Sequence, residues 1–441
     1  MNMPHLLVDI TAHGYGHVSQ TAPVVNELAR RIPGLRVTLR SAAPPQLLRQ
    51  RFTCDFKHIP VALDFGMQMS NAVDVEVEKS TAAYRAFHAN WNAKVQQAAE
   101  QLRALQPDLL LANVPYLSLA AADVAGVRAA AMCCLNWADI YCHYCKRDAD
   151  SAAIHAQMLA AYNSAEYFLK VQPAMPMPDL LNARSIGPIA QVGRNRRAQI
   201  DACVPPPPCT RRGQAVVVEP LKRQQPRTRG RAGEGVETPL SRCSTPILPF
   251  PLHPQGVGRG CKAAEAATTT LQGGTKASGA DRLLGLKANV PAEKLILVAM
   301  GGIEFRLPLE RWARLEGIRW LVPQAWGIAR DDMTAFEPLG LRFGDLLASC
   351  DAVLTKPGYG TFAEAACAGV PVLYVSRRDW PEEPYLVQWL EQNDVCREVE
   401  RSRLQSGDLE GALRDLWTQP KPPLPVASGA EEAAELLVGM L

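Results

Sequence analysis

Two histidines, His13 and His17, flank Gly14 and Gly16 in the segment Ala12-His13-Gly14-Tyr15-Gly16-His17. An imidazole titrates near neutrality and can take a proton from a hydroxyl at physiological pH. His17 is the candidate general base and His13 the alternative; the competing reading is a pair of ordinary loop histidines. Two further glycine loops lie far along the chain. Gly301-Gly302 follows the apolar run Leu295 to Ala299, and Lys356-Pro357-Gly358-Tyr359-Gly360-Thr361 follows Ala352 to Thr355. Each reads as strand, glycine, helix start. The free amides of a helix N-terminus and its positive dipole end suit a phosphate. One such loop is weak evidence, because glycine also ends strands for structural reasons; two in one half of the chain count for more.

Glu364 stands six residues beyond Gly358 among Ala363, Ala365 and Ala366. A carboxylate there could accept hydrogen bonds from a ribose diol; on base rates a helix glutamate is solvated. The loop Arg377-Arg378-Asp379-Trp380-Pro381-Glu382-Glu383 follows the apolar run Val372 to Val375. Arg378 could hold phosphate, and Glu382 and Glu383 sugar hydroxyls, against the alternative of a charged surface loop. Cys142-x-x-Cys145, with Cys133, Cys134 and His143 nearby, lacks a second thiol pair at zinc-site spacing. No metal is expected, and the remaining cysteines read as small buried hydrophobes.

These residues need a scaffold that brings loops to one edge. His5 to Ile10 is a strand, a helical pattern runs through Ala22, Val25, Leu28, Ala29 and Ile32, and Val37 to Leu39 is the next strand. Residues 84–105 read as one long amphipathic helix, followed by strands at 109–112 and 129–132 with a helix at 118–125 between them. The second half repeats the grammar, with strands at 295–299, 318–322, 352–355 and 372–375 and helices at 343–348, 361–368, 385–392 and 430–441. Alternation of this kind predicts an α/β fold of two Rossmann-like doubly wound domains, with ligands at the carboxyl ends of the strands.

Residues 203–280 break the pattern. This stretch holds 11 of the 35 prolines and carries a net charge of +7, leaving −4 for the rest of a chain whose total is +3. Its one aromatic residue is Phe250. It is expected to be a disordered basic, Pro-rich insertion. The organisation is then an N-terminal domain at 1–200, the insertion at 203–280 and a C-terminal domain at 281–441. Hydrophobic residues at 47% and charged residues at 21% fit a soluble globular protein and exclude a coiled coil or a collagen-like repeat. The near-zero charge does not suggest a nucleic-acid partner. The N-terminus lacks a signal-peptide pattern, and the most apolar window, 109–135, is broken by Asn113, Pro115, Asp123 and Arg128. No transmembrane segment and a cytoplasmic location are expected, with peripheral membrane contact left open.

Residues 351–386, from Asp-Ala-Val-Leu-Thr-Lys-Pro-Gly-Tyr-Gly-Thr-Phe-Ala-Glu-Ala-Ala through Gly-Val-Pro-Val-Leu-Tyr-Val to Glu-Glu-Pro-Tyr-Leu, resemble the donor-binding motif of GT-B glycosyltransferases. The similar branch holds the lipid II N-acetylglucosaminyltransferase and the UDP-glycosyltransferases. The glycosyltransferase-like N-terminal half of plant L-arabinokinase is closer still, sharing Gly-Tyr-Gly-Thr, Arg-Arg-Asp and Glu-Glu-Pro. The resemblance spans about residues 5–200 and 285–440. It implies two domains: an acceptor-side N-terminal one, with Gly14 and Gly16 in its loop, and a nucleotide-sugar-binding C-terminal one. Glu364 would bind the donor ribose. Gly358, Tyr359, Gly360 and Thr361 would hold the diphosphate, with Gly301 and Gly302 beside the donor phosphates, and Glu383 would lie at the donor sugar. His17 would serve as base or acceptor contact. The sequence departs from the family at Lys356-Pro357-Gly358, where Ser or Arg and Gly-Gly are usual, and at Glu382-Glu383-Pro384, and no kinase half follows.

The expected function is inverting, metal-independent transfer of a sugar from a nucleotide sugar, UDP ahead of GDP or TDP, to a small-molecule, glycan or lipid-linked acceptor hydroxyl. The donor is a substrate, and no cofactor is expected. The alternatives are a non-catalytic sugar-nucleotide-binding module, or a sugar-nucleotide epimerase or hydrolase on the same fold.

Overall fold

The computed structural model describes residues 3–203, 293–302 and 305–441. Apart from Cys203, the expected insertion at 203–280 lies outside the described residues.

Seven strands, β1 (His5–Ile10), β2 (Arg36–Arg40), β3 (Lys57–Ile59), β4 (Leu109–Asn113), β5 (Arg128–Cys133), β6 (Tyr167–Val171) and β7 (Ala183–Ile186), make a sheet in the order β3-β2-β1-β4-β5-β6-β7. Every pairing is parallel. The helices of this half are α1 (Tyr15–Arg31), α2 (Pro45–Arg51), α3 (Val77–His88), α4 (Trp91–Leu105), α5 (Tyr116–Ala125), α6 (Trp137–Cys145) and α7 (Ser151–Asn163). The short α8 (Arg197–Cys203) follows β7. A parallel strand is covered on both faces, so its sequence runs continuously apolar instead of alternating. Leu6, Leu7 and Val8 of β1 and Leu109 to Ala112 of β4 are fully buried accordingly. Each such leucine or valine contributes roughly 1.5–3 kcal/mol of burial energy.

The second half contains β8 (Lys294–Ala299), β9 (Ile318–Val322), β10 (Met333–Ala335), β11 (Ala352–Thr355), β12 (Val372–Tyr374) and β13 (Cys396–Glu398). They form a parallel sheet in the order β10-β9-β8-β11-β12-β13. Its helices are α9 (Phe343–Ala348), α10 (Tyr359–Ala368), α11 (Glu383–Asn393), α12 (Arg401–Ser406) and α13 (Glu410–Thr418), and the last helix is α14 (Gly429–Val438). Strand order reverses between β1 and β4 in one sheet and between β8 and β11 in the other. A crevice opens at such a switch point, beyond the carboxyl ends of the strands.

The two-sheet α/β architecture agrees with the sequence reading, and three details differ. The helix expected over 84–105 is two helices. Asn90 leaves helical geometry (φ −126°, ψ 46°), and His88 stacks on Trp91 at 4.8 Å across the corner. The helix start expected after Gly301 is absent among the described residues: between β8 and β9 there is only a 3-10 turn at Leu309–Arg311. The last helix leaves the second half and packs on α1 and beside β7. The crossing segment in the other direction is tight. A Cβ on Gly193 would lie 2.0 Å from the backbone carbon of Gly344, so this contact between the halves requires glycine.

Candidate functional site

The loop after β1, Asn113 at the end of β4 and Cys133 at the end of β5 converge at the edge of the first sheet. His17, in the first turn of α1, is buried. Its Nδ1 lies 2.8 Å from Asn113 Oδ1 and 3.7 Å from Cys133 Sγ. An amide oxygen accepts only, so the neutral ring donates through Nδ1–H and keeps the lone pair on Nε2. Asn113 is itself oriented, since its Nδ2 donates to Gln20 Oε1 at 3.2 Å. Gln20 Nε2 donates to Cys134 Sγ at 2.9 Å, and Cys134 donates to Glu382 Oε1 at 2.8 Å. One polar chain thus joins α1, β4 and the Arg377–Glu383 loop of the second half.

Burial opposes a charge on His17, but Cys133 and the Asn113 acceptor outweigh it and lift the pKa to about 9. Burial raises the Cys133 thiol, while the Cys134 hydrogen bond and His17 bring it net below its ordinary value. Replacing Cys133 with alanine removes the anionic partner. The His17 pKa is expected to fall by about one pH unit or more, since an opposite charge at this range is worth that much. NMR titration of the His17 ring checks this; an unmoved titration would mean that Cys133 carries no charge there.

His13 is half-buried between Trp137, edge-on at 5.0 Å, and Trp380, stacked at 5.8 Å. Its Nε2 has no hydrogen-bond partner among the described residues. Burial, then the charges of His17, Arg377 and Lys356, push its pKa down to about 3. It stays neutral at physiological pH and is the weaker base of the two. Asp64 accepts from Thr11 Oγ1 and from Trp137 Nε1, the latter at 2.8 Å. Burial raises its pKa despite both bonds.

The glycine loops of the second half meet this edge. Gly358 is extended (φ −170°) at the N-cap of α10, which leaves the first amides of that helix without intrahelical acceptors. A Cβ on Gly360 would lie 2.9 Å from Ser19 Cβ, so α1 and α10 cross closely because this residue has no side chain. Gly301 takes φ +83°, and Gly302 lies under the Tyr15 ring, whose Cδ1 would be 2.5 Å from an added Cβ. Lys356 lies between the two loops, its Nζ 3.7 Å from an ideal Cβ on either Gly301 or Gly358. Burial and then Arg377 lower its pKa to about 7.

The other candidates are tied into the fold. Tyr359 Oη donates to Gln172 O at 2.9 Å and accepts from Ile189 N at 2.8 Å. Glu364 is buried and ion-paired with Arg51 of α2, Nη1 to Oε1, with Nη2 at 3.3 Å from Oε2. Glu383 accepts from Ser376 Oγ at 2.6 Å and Arg377 N at 2.8 Å, and Glu382 also accepts from Trp380 Nε1 at 2.9 Å. Arg378 is exposed and has φ +61°. Gly14 is the extended N-cap of α1, and Thr361 is in the first turn of α10.

Sequence reasoning missed Asn113, Cys133, Lys356 and Arg51. Asn113 and Lys356 each sit at the end of an apolar strand at a switch point, a signal the sequence does contain. Arg51 is 313 residues from its partner and gives no local signal.

Two parallel sheets, joined across their carboxyl edges by glycine loops, give this chain the GT-B fold seen in solved glycosyltransferases. The calicheamicin glycosyltransferase superposes with a TM-score of 0.53 at 16% identity, over 100% of this chain and 99% of that one. The glycosyltransferase of kitacinnamycin gives 0.53 at 14%, over 100% of both. The L-arabinokinase of Arabidopsis thaliana is 24% identical over 385 residues, covering 87% of this chain and 29% of that protein. The chain therefore spans less than a third of that relative's length. No family model matches. Among the described residues, no helix is long and apolar enough to cross a membrane.

Proposed function

We propose that this protein is a hexosyltransferase that moves a sugar from a UDP-type donor to an acceptor hydroxyl, with inversion and without a metal ion. What supports the reading is one juxtaposition: the His17 helix start and the Gly358–Thr361 helix start cross at van der Waals distance, with Lys356 beside the second. His17 Nε2 takes the acceptor proton as the acceptor oxygen forms its bond to the anomeric carbon. The bond from that carbon to the diphosphate oxygen breaks, and the electron pair leaves with UDP. The α10 amides and the Lys356 ammonium stabilise the charge that develops there. In this reading Glu382 and Glu383 serve the donor sugar.

Titration calorimetry with UDP tests the donor site. UDP is expected to bind below millimolar concentration. The diphosphate raises the pKa of Lys356 from about 7, so at about pH 8 binding takes up close to one proton, and affinity weakens as pH rises above 7. Runs in two buffers of different ionisation enthalpy read the uptake directly. Lys356→Met should abolish it and weaken UDP. No binding at millimolar UDP sinks the reading; binding without proton uptake removes Lys356 from the diphosphate.

A second reading, a sugar-nucleotide-binding module without turnover, is favoured by the Arg51–Glu364 pair. The carboxylate that the resemblance assigns to ribose already has a cationic partner. Binding without turnover across a panel of UDP- and GDP-sugars would select it.

A further inference from the structure

Arg377 is the residue this scheme leaves unexplained. It is 7% exposed, yet its Nε and Nη2 have no hydrogen-bond partner among the described residues. Its guanidinium lies 3.9 Å from the centre of the Trp380 ring, a contact that engages the face of the fork and leaves its in-plane donors free. Glu382, Glu383 and Asp74 act on it electrostatically, but none accepts a bond from its side chain.

Arg377 lines a cavity of about 430 Å³ with Asp74, Arg378, Asp379, Glu400, Arg401 and Ser402. The acids there already have partners. Asp74 accepts from Arg401 Nη1 at 2.9 Å, Asp379 Oδ1 lies 3.2 Å from His143 Nε2, and Glu400 Oε2 accepts from Ser402 Oγ at 3.2 Å. Arg401 keeps a buried Nε without a partner, and the exposed Arg378 side chain makes no hydrogen bond among the described residues. The cavity therefore presents unspent guanidinium donors from two loops, one after β12 and one at the start of α12. Arginine forks match the planar or tetrahedral oxygens of carboxylate and phosphate. A volume in the range of small-molecule sites accommodates a monosaccharide carrying one such group.

We infer that this cavity is a second oxyanion site, lined by residues other than those of the glycine loops, that takes the carboxylate or phosphate of a charged sugar. Arg377 is its buried anchor, and Arg378 and Arg401 complete it. The inference does not rest on the transfer reaction, and UDP binding is scored separately at Lys356.

Thermal denaturation of the full chain, with inorganic phosphate, glucuronate or glucose added, tests it. Phosphate, glucuronate or both should raise the wild-type melting temperature; which of them does so identifies the group, and glucose should not. Arg377→Met should melt no lower than wild type without anion, because it removes a buried guanidinium whose Nε and Nη2 have no acceptor among the described residues, and it should lose the anion response. Arg378→Ala, on the surface, should keep the fold and weaken the effective anion by about tenfold, the worth of one charge-assisted hydrogen bond. The site is refuted if neither anion shifts the wild type, if glucose shifts it equally, or if Arg377→Met responds as wild type does. It is also refuted if Arg377→Met melts well below wild type in anion-free buffer, since the guanidinium would then have a structural task.

Discussion

Replacing His17 with alanine is expected to cut sugar transfer by about 10²–10⁴, the usual worth of a general base, while the UDP dissociation constant stays within about threefold. The separation follows from position. His17 lies on the first half with Asn113 and Cys133, whereas the α10 amides proposed for the diphosphate and Lys356 belong to the second. His17→Gln is the companion variant: its side-chain amide can still donate to Asn113 Oδ1, so the polar chain through Gln20 persists, but it cannot take a proton. Both variants should be equally inactive and melt close to wild type. Activity surviving within a few-fold would place the base elsewhere. His13 would be first in line, although a group held near a pKa of 3 is a poor proton acceptor. The pH profile adds a second reading: with the His17 pKa raised to about 9, turnover should climb through the neutral range and level above it, because the base acts only once its proton is gone.

The parts of this site that were legible in the sequence are those with local grammar. Apolar runs ending in glycine marked β1, β8 and β11 and hence both switch points, because parallel strands must be apolar on both faces and their loops must turn at once. His17 and the Gly358 loop were therefore found at the correct edge. What failed was also local. The Gly301 loop carries the same strand-then-glycine signal as Gly358, but no helix follows it among the described residues, since nothing in the signal distinguishes a helix start from a bare turn. Asn90 splits the helix expected over 84–105 because aromatic packing around His88 and Trp91 overrides a continuous amphipathic pattern. Partners set by the tertiary fold were out of reach. Nothing near Glu364 announces Arg51, and nothing near Arg377 announces that its guanidinium would be enclosed without an acceptor.

Breaking the Arg51–Glu364 pair should give the largest stability loss in the molecule's polar network. Arg51 bonds Glu364, donates to Gln191 Oε1 at 3.2 Å and lies 5.4 Å over the Phe343 ring. It thereby ties α2, the crossing segment, α9 and α10 together. Arg51→Met leaves the buried carboxylate of Glu364 uncompensated, a change that costs about 3–5 kcal/mol. Glu364→Gln retains an acceptor for Arg51 and should cost less, about 1–3 kcal/mol, the value of a charged hydrogen bond reduced to a neutral one. The double variant Arg51→Met with Glu364→Leu removes both charges and should recover most of the loss, since an apolar pair of similar volume often replaces a buried ion pair without penalty. Urea unfolding of wild type, Arg51→Met, Glu364→Leu and the double variant closes the cycle. Additive losses would show that the two residues do not interact in solution. UDP affinity measured on the folded variants then separates the functional readings. If Glu364 also holds ribose, Glu364→Gln weakens UDP beyond its effect on stability, because a ribose hydroxyl donates more strongly to a carboxylate than to an amide. If Glu364 serves Arg51 alone, UDP affinity is indifferent to it, and the pair is a clasp between the two halves of the fold.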